Sequence, residues 1–168
     1  VNLLNQLVSN LSLMLRRPPR QQYAALCYRF DAALGLQVLL LTSRETRRWV
    51  IPKGWPMKGK KAHAVAEREA YEEAGVRGKA EKEPFGYFAY MKKRKSGVEV
   101  PVRVQVHALR VDEMLTDFPE KDSRTLDWTS CAEAALRVNE PELRALFMAF
   151  DKRMASPAPV KLRAAAGR

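Results

Sequence analysis

Valine occupies every second position from Val98 through Val100, Val102 and Val104 to Val106. Such alternation puts all of them on one side of a pleated chain and predicts a long strand with one apolar face. Pro101 has no amide to donate, so this part of the strand is expected at an edge or a bulge. Tyr23 to Phe30 and Leu36 to Thr42 are apolar runs separated by a turn containing Asp31 and Gly35, and they predict two more strands. Arg48 to Ile51, Pro84 to Met91 and Leu126 to Thr129 predict further short strands, and residues 53–61 a loop. Elsewhere the apolar period is helical. Leu3, Leu4, Leu7, Val8, Leu11, Met14 and Leu15 predict an N-terminal amphipathic helix that Pro18 and Pro19 end. Ala62 to Ala74 predicts a second helix with Gly75 as its left-handed cap. Two more follow, from Ala132 to Val138 and from Pro141 to Met154. Strands on both sides of a central helix, with helices at the end, predict an α/β fold, an α/β/α sandwich on a central mixed sheet. The expected organisation is an extension over residues 1–20, one domain over 21–154, and a disordered Ala/Pro/Lys tail over 155–168.

One helix breaks its own pattern. Glu69 and Glu73 fall on the stripe that Ala62, Val65 and Ala66 occupy one to two turns earlier, and Glu72 flanks it. Half-burying clustered carboxylates is unfavourable unless a cation neutralises them. A hard divalent ion with oxygen ligands, Mg²⁺ first and Mn²⁺ second, meets that need. The alternative for these charges in isolation is a solvated helix face.

Charge adds a second theme. The 168 residues carry a formal net charge of +11. This excess is read either as a solvated basic surface or as a preference for a polyanionic partner. The cations gather in two places: Lys53, Lys58, Lys60 and Lys61 in the loop before the acidic helix, and Lys92-Lys93-Arg94-Lys95 at a hairpin tip. Cys27 and Cys131, with His63 and His107, show neither zinc-ligand spacing nor a nucleophile motif, which argues against a zinc site and a cysteine or serine hydrolase. No apolar run reaches the roughly 18 residues that a membrane span needs. A cytoplasmic, reducing setting is the expectation.

The register Gly54, five residues, Lys60, seven residues, then Arg68-Glu69-Ala70-Tyr71-Glu72-Glu73-Ala74-Gly75-Val76 resembles the Nudix signature, Gly-x5-Glu-x7-Arg-Glu-U-x-Glu-Glu-x-Gly-U with U a bulky aliphatic residue. The resemblance implies a Mg²⁺-dependent hydrolysis of phosphoanhydrides in highly phosphorylated small molecules. It implies Glu69 and Glu73 as metal ligands, Glu72 as a further ligand or the general base, and the main-chain carbonyl of Lys53 or Gly54 completing the shell. Arg68 can reach Glu72 at i, i+4 and hold the cluster's geometry. Lys60 stands where the signature has its first glutamate, and Ala70 where it has a bulky residue.

Within the family, Ala24-Ala25-Leu26-Cys27-Tyr28-Arg29, Thr42-Ser43-Arg44 and Arg48-Trp49-Val50-Ile51-Pro52 are similar to the diphosphoinositol polyphosphate phosphohydrolases. Pro52-Lys53-Gly54 is instead similar to the diadenosine tetraphosphate hydrolases. Arg44, Arg48, Lys53, Lys58, Lys60, Lys61, Lys92, Lys93, Arg94 and Arg124 are the phosphate-binding candidates, because arginine and lysine both pair with phosphate oxygens. Trp49 and Trp128 are expected in the core, and Trp55, in a loop, is the candidate for stacking a base. A competing reading is a Nudix-fold module that has lost turnover with Lys60 and binds RNA, although no RNA-binding signature is readable. The N-terminal helix offers a route to a homodimer.

Overall fold

The computed structural model describes residues 18–156. In chain order they form β1 (Arg20–Asp31), β2 (Gly35–Thr42), β3 (Trp49–Val50), β4 (Lys53–Gly54), α1 (Ala62–Ala74), β5 (Val76–Ala80), β6 (Gly86–Lys93), β7 (Glu99–Met114), β8 (Leu126–Thr129), α2 (Cys131–Arg137) and α3 (Pro141–Ala155). The expected N-terminal helix and C-terminal tail lie outside the described residues.

The strands form one mixed sheet in the order β3-β2-β1-β7-β5, with β4 pairing β1, β6 pairing β7 and β8 pairing β2. The long central pair, β1 with β7, is parallel, and the other named pairs are antiparallel. Both faces of the sheet are covered, so its inner strands are apolar on both sides. On one face Ala24, Leu26, Val38, Leu40, Val102, Val104 and Val106 join Leu143, Phe147 and Phe150 of α3. On the other, Ala25, Cys27, Leu39, Leu41 and Leu109 join Ala66, Ala70 and Ala74 of α1. Fully burying a Val or Leu side chain contributes about 1.5–3 kcal/mol, so these two layers dominate the fold's stability.

The valine alternation outruns its burial. Val102, Val104 and Val106 are fully buried, whereas Val98 is exposed. The reason is register: β1 first meets β7 at Arg20 opposite Val102, so the chain before that point has β6 alone as its partner. Pro101 pairs with Met91 of β6 and lies one residue outside the β1 pairing, where its missing amide costs nothing. The expected loop over residues 53–61 begins with the two-residue strand β4, which pairs with β1 through Tyr23 opposite Gly54 and Ala24 opposite Lys53. β5 has no counterpart among the expected strands. Its core contacts come only from its ends, Val76 and Ala80, and the ladder to β7 shifts register between Arg77 and Gly78.

Helix α1 covers the residues expected of it, and Gly75 ends it at φ 66°. The Gly75 amide donates to the Tyr71 carbonyl at 2.9 Å, and the Gly75 carbonyl accepts from the Leu115 amide at 2.7 Å. A Cβ at Gly75 would lie 2.4 Å from Phe118 Cδ1 and 2.7 Å from the Leu115 oxygen. Among the described residues no helix is long and apolar enough to cross a membrane.

Gly75→Ala should therefore destabilise the fold, by about 1–2 kcal/mol from the left-handed backbone alone and further from the clash. Urea denaturation followed by circular dichroism reads this, and an unchanged midpoint would contradict the role given to Gly75.

Candidate active site

Small side chains let α1 lie close to the sheet: Ala66, Ala70 and Ala74, four residues apart, are all fully buried. This close seating carries the shoulder of the helix, Glu69 and Glu73, against β4. A Cβ on Gly54 would fall 1.9 Å from Glu69 Oε1, so the Glu69 carboxylate occupies the space that any side chain at position 54 would need. One residue earlier, the Lys53 amide donates to Glu73 Oε2 at 3.3 Å. It is through this amide that the structure joins Lys53 to the cluster.

Glu73 is buried, with 8% of its surface exposed. Its counter-charge is Arg124, whose side chain is 7% exposed and whose Nη2 donates to Glu73 Oε1 at 2.6 Å. The same guanidinium donates through Nε to Glu120 Oε2 at 2.6 Å and through Nη1 to the Thr42 carbonyl at 3.1 Å. Glu120 arrives on the segment between β7 and β8, where its amide donates to the Glu72 carbonyl at 3.0 Å. Arg68, one turn before Glu72 on α1, is ion-paired with it, as the i, i+4 spacing predicts.

The electrostatics follow from this crowding. Burial, and then the neighbouring charges of Glu73, Glu72 and Glu120, push the Glu69 carboxyl up to about 7, with Arg124 opposing them. Burial also raises Glu73, against the pull of Arg124 and Lys53. The Lys53 ammonium is lowered, first by burial, although Glu73 and Glu140 favour its charged form. Carboxylate oxygens with excess negative charge are the donor set that a hard divalent cation takes. Among the described residues, no three His, Cys, Asp or Glu side chains stand together as a ready metal cage. Arg68 holds Glu72, while Arg124 holds Glu73 and Glu120. The residues fit such an ion in charge and donor type.

Glu69, Glu72 and Glu73 line a cleft of about 500 Å³, together with Arg44, Arg48, Lys53, Lys92, Lys93 and Arg124. These cations are not equally available. Arg124 is turned into the acidic cluster, Arg44 lies 3.6 Å from Glu120, and Arg48 lies 3.3 Å from the buried Glu140. Lys58, Lys60, Lys61 and Arg94 are exposed and stand outside the cleft lining, apart from the other phosphate-binding candidates. Lys61 is instead the N-cap residue of α1, without a side-chain cap bond. Trp55 lines the cleft, while Trp49 and Trp128 are packed against the two core layers. Sequence reasoning missed Glu120 and Gln22. For Glu120 the only local trace was its spacing of four residues from Arg124, in a segment without helical periodicity.

A family model described as NUDIX domain matches residues 20–150. Nudix hydrolase 13, mitochondrial, of Arabidopsis thaliana is 35% identical over 105 residues, covering 59% of this chain and 52% of its own. Diphosphoinositol polyphosphate phosphohydrolase 3-beta of Homo sapiens is 32% identical over 117 residues, covering 68% of this chain and 66% of its own. The chain thus spans about half to two thirds of the length of these curated relatives. Among solved structures, the Ap4A hydrolase of C. elegans superposes with a TM-score of 0.63 at 19% identity, covering 82% of this chain and 99% of its own. The dihydroneopterin triphosphate pyrophosphohydrolase of E. coli superposes at 0.59 and 18% identity, covering 79% and 95%. At these identities the solved structures share the fold.

Glu69 has a carboxyl raised above its ordinary value, so its share of stability is present below about pH 4.5 and is lost as pH rises through about 7. The metal-free protein should therefore melt at a lower temperature at pH 8 than at pH 6, and divalent affinity should rise over the same window as the competing proton leaves. Thermal melts and calorimetric titration with Mn²⁺ check both signs, and affinity that is flat across the window contradicts the assignment. Gly54→Ala should displace the Glu69 carboxylate and weaken Mn²⁺ binding by about tenfold, with unchanged affinity as the contrary result.

Proposed function

The chain belongs to the Nudix family, and from that premise we propose that it is a Mg²⁺-dependent pyrophosphohydrolase acting on highly phosphorylated small molecules. The observation that carries this reading is the meeting of Glu69, Glu72 and Glu73 with Arg44, Arg48, Lys53, Lys92 and Lys93 across one cleft. Phosphoanhydrides combine closely spaced negative charge with an electrophilic phosphorus, so hydrolysis needs both charge neutralisation and an activated water. Bound by the carboxylates of α1 and Glu120, Mg²⁺ or Mn²⁺ would supply the neutralisation and an acidified water. The lysines and arginines that line the cleft hold the phosphate chain. Glu72 accepts the proton of the attacking water as the new P–O bond forms and the bridging P–O bond breaks. Arg68, paired with Glu72, keeps that carboxylate aimed. Arg124 keeps Glu73 and Glu120 in place and bears on phosphate only through them.

The relatives named for diphosphoinositol polyphosphates and for Ap4A support a polyphosphate as the substrate. The substitution at Lys60 is compatible with turnover, because Lys60 is exposed and outside the cleft lining. That favours an enzyme over an RNA-binding module, whose support is surface charge alone. Cys27 and Cys131 are both buried free thiols, which suits a reducing compartment, either the cytoplasm or the mitochondrial matrix.

Phosphate release with Mg²⁺ from diphosphoinositol polyphosphates, diadenosine polyphosphates and nucleoside diphosphate sugars tests the reading. Turnover is expected on a polyphosphate, with Glu73→Gln slower by about 100-fold or more. Full activity in that variant removes the metal assignment, and inactivity of the wild-type chain on every anhydride removes the enzyme.

A further inference from the structure

Two aromatic side chains line the cleft, Trp55 and Tyr90, and both already carry cations. The guanidinium carbon of Arg20 lies 4.4 Å from the Trp55 ring centre, and Lys92 Nζ lies 5.2 Å from it. Lys53 Nζ is 5.5 Å from the Tyr90 ring, whose hydroxyl donates to Gln22 Oε1 at 2.8 Å. The sheet builds this arrangement. Arg20 of β1 pairs with Val102 of β7, and Val102 pairs on its other side with Tyr90 of β6. Lys92, two residues beyond Tyr90, pairs with Val100. Directly paired residues, and residues two apart on a strand, share a face. Arg20, Tyr90 and Lys92 therefore rise from one face of the sheet, and Trp55 reaches the same core layer from the segment after β4.

Among the described residues, Arg44 and Arg48 are ion-paired with Glu120 and Glu140, whereas Arg20, Lys53 and Lys92 have no carboxylate partner. A cation seated on an aromatic face is attracted by the ring's quadrupole and keeps its charge for an anion. A nucleobase, by contrast, needs a free ring face, and on a Trp55 face that carries a cation it competes with that cation.

On the pyrophosphohydrolase reading above, we propose that Trp55 is a perch for Lys92 within the cleft and for Arg20 just outside its lining, that both grip the phosphates of a base-free polyphosphate, and that this cleft stacks no nucleobase. The substrate class is then a polyphosphorylated polyol or a comparable compact polyanion, which presents charge on all sides. A dinucleoside polyphosphate presents two flat bases where this cleft presents cations. Arg20 becomes a substrate-binding residue that no sequence pattern indicated.

Binding to the full chain without divalent ions tests this separately from turnover. Calorimetric titration would compare diadenosine tetraphosphate with a tetraphosphate methyl-esterified at both ends, which carries the same charge without bases. The two should bind within about threefold of each other, and the double variant Arg20→Gln/Lys92→Gln should weaken both by about tenfold. Trp55→Leu should weaken both as well, since the perch is lost. Diadenosine tetraphosphate binding tighter by about tenfold or more, unchanged affinities in the double variant, or a loss in Trp55→Leu confined to the adenosine compound would each overturn the proposal. Circular dichroism confirms folding, and the double variant changes only side chains with exposed or half-exposed heads should Trp55→Leu fail to fold. An inactive wild-type chain sinks the pyrophosphohydrolase reading and leaves these affinities to decide the clamp.

Discussion

Glu73 can be buried in this chain because Arg124 is buried beside it. An isolated carboxylate in that position would be protonated or would unfold the helix end, and removing one member of such a pair costs about 3–5 kcal/mol in typical proteins. The guanidinium uses its geometry fully, reaching Glu73 on α1, Glu120 on the segment after β7 and the Thr42 carbonyl at the end of β2. One side chain thereby joins three parts of the fold and holds the acidic wall of the cleft together. Its supports are backbone bonds. The amides of Leu115 and Glu120 donate to the carbonyls of Gly75 and Glu72, so the left-handed turn at Gly75 positions the segment that delivers Arg124.

The rest of the site depends on how closely α1 approaches the sheet. Alanine at positions 66, 70 and 74 leaves little to separate helix from strand, and the absence of a side chain at Gly54 admits the Glu69 carboxylate. Ala70, where the family signature has a bulky residue, belongs to this close seating. The consequence is electrostatic. Burial first, and then the carboxylates of Glu73, Glu72 and Glu120, raise the Glu69 pKa, and Arg124 opposes them only in part. The same cleft carries complementary charge on Arg44, Arg48, Lys53, Lys92 and Lys93.

Much of the fold was legible. Helix α1 could be read to the residue because its period, its charge pattern and its terminal glycine agree, and β1, β2 and β8 could be read from apolar runs. β5 escaped because Arg77, Gly78 and Lys79 show no apolar alternation; that strand exists through its ladder to β7. The basic residues were legible as charge and not as direction. Lys53 enters the cleft because β4 pairs with β1, while Lys58, Lys60 and Lys61, a few residues on, stay exposed. Arg124 could be seen as a cation near a phosphate site, but its commitment to two carboxylates could not.

The sequence by itself determined the acidic face of α1, its glycine end, the alternating strands and the family register. All of these are read along the chain: the faces repeat every two to four residues, the glycine end and the register are fixed by spacing, and none needs knowledge of what lies opposite. Tertiary structure alone decided which charges meet. Arg124 finds Glu73 from 51 residues away and Thr42 from 82, and Arg20 and Lys92 converge on Trp55 from different strands. Such pairings follow from sheet order and strand register. Those are set by the packing of the whole core, and no local period carries them.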